Sequence, residues 1–218
     1  MPQLPKKLSN TRYKKPLIRE AKQISQLKKQ NGFVICVCGM TGSGKSTLAK
    51  KLANKYGLKY ISGGDSLKAL AIEIGYKPGG RDWWETEAGR QFLQQRMKEP
   101  DFDKKVDEKL VKLAGKGNVV IDSWTMPWLL KEGFKIWLEA SPEVRAMRIA
   151  ARGSISSERA LKVLIERDER TGIIYKKLYG FNLGEDFSPF DVVLDVTHLS
   201  EDEVFQTVSL LVDRFQID

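Results

Sequence analysis

The sequence predicts an α/β fold: a five-stranded parallel sheet, doubly wound, with helices on both faces. Three observations carry that prediction. Short apolar runs rich in β-branched residues recur at residues 33–38, 58–62, 119–122, 134–138 and 192–196. Segments with helical spacing of apolar residues separate them, and strands that alternate with helices build a parallel sheet. The first run also leads through a glycine-rich turn directly into a helix, so its strand-to-helix junction is tight.

Residues 33–38 (FVICVC) form the first strand, and the chain's two cysteines, Cys36 and Cys38, lie two apart on one face of it. Neighbours at that spacing form no relaxed disulfide, and two ligands are too few for a structural metal. Both are expected as buried free thiols in a reducing compartment, the cytoplasm. Next come Gly39-Met40-Thr41-Gly42-Ser43-Gly44-Lys45-Ser46 and Thr47, which match G-x-x-x-x-G-K-[ST] at every fixed position. The helix that follows puts Leu48, Leu52 and Tyr56 on one face and stops at Gly57.

The residue types of this loop are those that phosphate binding requires. Glycines at 42 and 44 free the backbone to aim successive N–H groups at phosphate oxygens. The helix N-terminus adds unpaired donors and the positive end of its dipole. Lys45 is expected on the β- and γ-phosphates and the Ser46 hydroxyl on Mg²⁺. A nucleoside triphosphate is the implied ligand.

Residues 58–62 read as the second strand, 63–65 (Gly-Gly-Asp) as the turn leaving it, and 66–74 as a helix stopped by Gly75. Residues 76–82 are turn-rich. A helix is expected over 83–97, broken by Pro100, and another over 103–114 with Val106, Leu110 and Leu113 inward. The third strand, 119–122, closes on Asp122, a carboxylate placed to hold Mg²⁺ directly or through water; the plainer alternative is a cap for the next turn. Residues 134–138 form the fourth strand. Ser141-Pro142-Glu143 opens a helix with an N-cap, a first-turn proline and an acid. After the last strand, 192–196, the pattern Ser200-x-x-Glu203 is a capping box for a helix running to about Phe215.

Charge is unevenly spread. The net charge is +9, yet residues 1–31 hold nine of the basic side chains against one acid, Glu20. The body from residue 32 to 218 is therefore nearly neutral. The arm's prolines make its first part irregular, while Ile18, Ala21, Ile24 and Leu27 suit a helix over residues 17–30. An arm of this charge suits RNA or another polyanion; a solvated tail is the plainer reading, because only Tyr13 interleaves. No apolar run approaches the ~18–20 residues that a membrane span needs, and the basic N-terminus lacks the apolar core of a secretory signal.

A second arginine-dense segment runs from Arg145 through Arg148, Arg152, Arg159 and Arg167 to Arg170. Arg145, Arg148 and Arg152 have the spacing to share one helix face, where cations can meet charge on a transferring phosphoryl group. A segment that closes over the phosphates also excludes water. Nearby acids, Asp168 among them, are present to pair these arginines instead.

The order of features resembles the nucleoside monophosphate kinases, and the details are most similar to archaeal-type cytidylate kinases. The resemblance runs through residues 58–65 (LKYISGGD), 140–152 (ASPEVRAMRIAAR), Glu166-Arg167, 175–180 (YKKLYG) and 190–195 (FDVVLD). It implies a P-loop NTPase core with a helical monophosphate-binding insertion (about 65–114) and a short lid (about 150–176). It further implies ATP-dependent phosphorylation of CMP or dCMP; a monomer is expected. On that resemblance Asp65 and Lys68 lie near the acceptor phosphate, and Arg148, Arg152 and Arg167 belong to the lid. The chain departs from the family pattern on the acceptor side. Lys68, Trp124 and Ile174 stand where arginine is expected, and residues 76–95 do not align. Those departures keep two rivals open: a non-catalytic ATP-binding protein that holds RNA through its arm, and a kinase of another small molecule.

Overall fold

The computed structural model describes residues 32–80, 83–153 and 155–217. The helix expected over residues 17–30, and the basic arm with it, lies outside them. Five parallel strands form one sheet in the order β2-β3-β1-β4-β5: β1 (Val34–Gly39), β2 (Lys59–Ser62), β3 (Val119–Asp122), β4 (Phe134–Glu139) and β5 (Val192–Asp195). The chain runs from central β1 out to edge strand β2, back to β3, and then crosses to β4 on the other side of β1. That reversal leaves a crevice at the carboxyl ends of β1 and β3, where an open parallel sheet binds ligands. The register aligns Val37 and Ser62 with Asp122, and Gly39 with Leu138, so these strand ends share one rim.

Alternation along β1 sorts the core into two layers. Ile35 and Val37 pack with Leu48, Ala49 and Leu52 of helix α1 (Lys45–Tyr56) and with Val204, Val208 and Val212 of α8 (Glu201–Ile217). Cys36 faces the other layer. There it meets residues of α2 (Gly63–Glu73), α3 (Glu87–Lys98) and α4 (Asp101–Ala114), including Leu67, Ala71, Phe92 and Leu110. Both cysteines are fully buried free thiols, as their spacing implies. The remaining helices are α5 (Met126–Leu129), α6 (Pro142–Arg152) and the long α7 (Ser157–Tyr179). No described helix is long and apolar enough to cross a membrane.

Two local expectations are corrected. Gly63-Gly64-Asp65 is not a turn but the first turn of α2. The Ser62 side chain caps it by accepting from the Asp65 N–H at 3.1 Å, satisfying a donor that a helix start leaves open. Residues 83–97 are not one helix. Trp83–Glu85 is a 3₁₀ turn, and Thr86 then caps α3 by accepting from the Gly89 N–H. Gly89 itself has no room for a side chain, since a Cβ there would lie 2.3 Å from the Trp83 carbonyl oxygen. The capping box forms as expected, with the Ser200 N–H donating to Glu203 Oε2 at 2.8 Å and the Glu203 N–H to Ser200 Oγ at 3.3 Å.

Candidate active site

The loop between β1 and α1 is shaped by close backbone approaches. Gly39 has φ 146°, and a Cβ on it would lie 2.5 Å from both the Leu138 carbonyl and Ser43 Oγ. Gly42 has φ 82°, and a Cβ there would lie 2.8 Å from the Arg145 carbonyl. Its glycine thus lets α6 approach the loop, besides freeing the loop backbone. Helix α1 begins at Gly44 with no side-chain cap and no acid in its first turn. Its N-terminal donors therefore remain open for an anion, with Lys45 beside them.

This loop borders a cavity of about 920 Å³ at the carboxyl ends of the strands. Thr41, Gly42, Ser43, Gly44, Lys45, Ser46 and Thr47 line it, whereas Gly39 and Met40 contribute through their carbonyls: Met40 accepts from Lys45 Nζ at 3.3 Å and Gly39 from Trp124 Nε1 at 2.6 Å. The Lys45 amine is pushed below its ordinary value by burial, with Asp122 opposing. The Ser46 hydroxyl donates to Asp122 Oδ2 at 2.5 Å. Tyr60 donates to the same oxygen at 3.2 Å, and burial followed by the Asp122 charge pushes its phenol upward.

Arg148, Arg152 and Arg167 all line this cavity, as do Asp65 and Lys68. Arg148 is tethered to the Ser43 and Val196 carbonyls at 3.3 and 2.8 Å. Lys68 reaches the Gly80 carbonyl at 3.4 Å. Arg167 lies in the middle of α7, 3.6 Å from Glu85 Oε1, and burial lowers its guanidinium to about 10 against the pull of Glu85. Arg145 does not join its helix neighbours. It is buried, bonded to Asp168 Oδ2 at 2.5 Å and to the Thr41 carbonyl at 3.1 Å. A 3/4 spacing aligns Cα positions, but the core side of α6 claims this one arginine, and it braces the loop from beneath.

Sequence reasoning missed the polar floor of the cavity. Arg96 and Asp103 form an ion pair there with side chains 1% exposed, joined at 3.0 and 2.5 Å. Asp107 accepts from Thr125 Oγ1 at 2.6 Å and from the Tyr179 hydroxyl at 2.8 Å, and burial raises its carboxyl to about 6. A signal was present. Asp103 and Asp107 interrupt the buried stripe that α4 makes with Val106, Leu110 and Ala114, and Arg96 ends the stripe of Gly89, Phe92 and Leu93 on α3. Charge on a core-facing stripe marks a paired or functional group. Ile174, where arginine was expected, is buried among aromatic side chains.

The profile of the Cytidylate kinase-like family matches residues 34–198. The cytidylate kinase of Pyrococcus horikoshii is 34% identical over 183 residues, 84% of this chain and 89% of its own length. That of Methanocaldococcus jannaschii is 32% identical over 189 residues, covering 84% and 99%. Among solved structures, an uncharacterized protein from Eubacterium ventriosum superposes with a TM-score of 0.54 at 14% identity, over 84% of this chain and 98% of that one. A shikimate kinase from Acinetobacter baumannii, in complex with shikimate, gives 0.50 at 16% identity, over 89% and 99%. At those identities the structural likeness speaks for the fold alone.

Proposed function

The chain belongs to the cytidylate kinase-like family, and from that membership we propose that it transfers the γ-phosphoryl group of ATP to CMP or dCMP. One observation carries the reading furthest. A single cavity gathers the phosphate loop, Asp65 and Lys68, and the arginines Arg148, Arg152 and Arg167. In this reading the loop N–H groups and the open start of α1 hold the β- and γ-phosphates, with Lys45 between them. Residues of about 65–114 receive the acceptor, where Asp65 and Lys68 orient its phosphate. The segment of about 150–176 closes as a lid and excludes water, which otherwise competes as acceptor.

The donor set fits Mg²⁺. A hydroxyl and a carboxylate oxygen converge beside Lys45, and among the described residues no group of three or more Asp, Glu, His or Cys side chains is placed to hold a metal ion. That suits an ion which keeps most of its coordination for water and phosphate oxygens. When bound through Ser46 and Asp122, Mg²⁺ supplies charge neutralisation on the β- and γ-oxygens. The acceptor phosphate is already an oxyanion at neutral pH, so no general base is required. Its oxygen bonds to the γ-phosphorus while the bond to the β,γ-bridging oxygen breaks, and ADP leaves with that electron pair. Lys45, Arg148, Arg152 and Arg167 meet the charge on the transferring group, by positioning and electrostatics rather than covalent chemistry.

A monomer in the cytoplasm belongs to the same reading, supported on the compartment by the buried thiols of Cys36 and Cys38. The charge of residues 1–31 supports a separate contact of the arm with RNA or another polyanion. The reaction is tested by ADP release from ATP·Mg²⁺ with CMP, dCMP, UMP, AMP, GMP and dTMP in turn, against a control without acceptor. Turnover selective for CMP or dCMP is expected. Equal rates with and without acceptor would replace the kinase reading with that of an ATP-binding or hydrolysing protein.

A further inference from the structure

The 3₁₀ turn Trp83–Glu85 supplies two side chains that grip Arg167 of α7. The Arg167 guanidinium lies 4.7 Å from the centre of the Trp84 indole and 5.5 Å from that of Trp124. Glu85 Oε1 stands 3.6 Å from its Nη1, with the two side chains 6% and 14% exposed. Each indole is itself anchored. Trp84 packs on Trp83 with ring centres 4.8 Å apart, and Trp124 is fixed by its hydrogen bond to the Gly39 carbonyl at the start of the phosphate loop. A second cation shares the Trp124 ring, since Lys45 Nζ lies 5.3 Å from its centre.

Two cations that share one indole repel one another unless something compensates them. The π-faces and the Glu85 carboxylate provide that compensation. Arg167 also keeps one buried donor, Nε, with no hydrogen-bond partner. A buried charged donor without an acceptor is disfavoured.

We propose that Trp84 and Glu85 are positioning residues for phosphoryl transfer: with Trp124 they hold Arg167 next to Lys45 before the nucleotides arrive. The bracket ties the acceptor-binding insertion to the lid helix and the phosphate loop. Trp124 contributes by retaining two neighbouring cations on its ring. Preorganised charge of this kind acts on the transition state more than on ground-state binding. The bracket is therefore set to govern kcat more than the KM for ATP.

The inference rests on the phosphoryl-transfer reading, and the experiment separates the two. Steady-state kcat and KM are measured for the full chain and for Glu85→Gln, Trp84→Phe, Trp84→Ala, Arg167→Ala and the Trp84→Ala/Arg167→Ala double variant, with the acceptor that the unsubstituted chain uses best. Glu85→Gln and Trp84→Ala are expected to lower kcat about tenfold, with KM for ATP within about twofold, and Trp84→Phe to restore most of the rate. In the Arg167→Ala background, removing Trp84 is expected to change kcat little further, because the group it positions is gone. Equal losses from Trp84→Ala with and without Arg167 would make Trp84 a packing residue and overturn the proposal. So would full activity of both Glu85→Gln and Trp84→Ala. An unsubstituted chain that transfers phosphate to no acceptor would instead remove the functional reading, and this proposal with it.

Discussion

Replacing Asp103 by Asn removes one charge from the cavity floor and leaves the other without its hydrogen-bonded counter-ion. In the native pair the Arg96 Nε donates to Oδ2 at 3.0 Å and Nη2 to Oδ1 at 2.5 Å, with both side chains 1% exposed. An amide keeps one acceptor but turns an NH₂ group toward the guanidinium, so a hydrogen bond and the charge compensation are lost together. Breaking a buried pair from one side costs about 3–5 kcal/mol. An unfolding entropy of about 2.1 cal/mol/K per residue, taken over a folded body of roughly 190 residues, gives about 0.4 kcal/mol per degree. Asp103→Asn should then lower the melting temperature by about 8–12 °C, read by far-UV circular dichroism. Replacing both partners together, Arg96→Met with Asp103→Leu, should recover most of that loss, because neither charge remains to be buried. A single variant that melts within about 2 °C of the parent, or a double variant less stable than the single, would refute the reasoning.

Asp107 supplies a pH-dependent test. Its folded carboxyl, raised by burial to about 6, binds a proton more tightly than in the unfolded chain. Its contribution to stability is therefore full below the ordinary carboxylate value and is lost as pH rises through about 6. Asp107→Asn, which mimics the protonated form, should gain stability relative to the parent at pH 8 more than at pH 5 in paired thermal melts; an equal difference at both would contradict the assignment. Lys45→Ala should lower kcat by about two to three orders of magnitude, the loss typical of one preorganised donor or cation, and a rate equal to the parent's would place the chemistry elsewhere. Deleting residues 1–31 should leave turnover within about twofold while weakening salt-sensitive RNA binding, since those residues hold most of the net charge. Unchanged RNA affinity after the deletion would end the case for the arm as a binding element.

The sheet was legible because its strands are short runs of β-branched residues with glycine, polar or charged ends, and parallel order follows from their alternation with helices. The phosphate loop was legible because a contiguous stretch builds it. The start of α2 was not, because two successive glycines outweigh a serine cap in any local reading, and the cap decides. The split at Trp83–Glu85 was equally hidden: Thr86 looks like a mid-helix residue until its hydroxyl is seen to accept from the Gly89 N–H. The cavity floor was missed for a different reason. Arg96, Asp103, Asp107 and Tyr60 come from three separate elements, and only the tertiary fold brings them to the loop. Arg145 shows the converse, a residue with the right spacing whose side chain packing turned toward Asp168.

The central claim is that the γ-phosphoryl group moves from ATP to a cytidine monophosphate within this cavity. The direct measurement is transfer of label from [γ-³²P]ATP to CMP, separated by thin-layer chromatography, with Lys45→Ala run in parallel. The account predicts labelled CDP from the parent and a loss of about two to three orders of magnitude in the variant. Label appearing only as inorganic phosphate, or labelled CDP formed equally by both proteins, would contradict it.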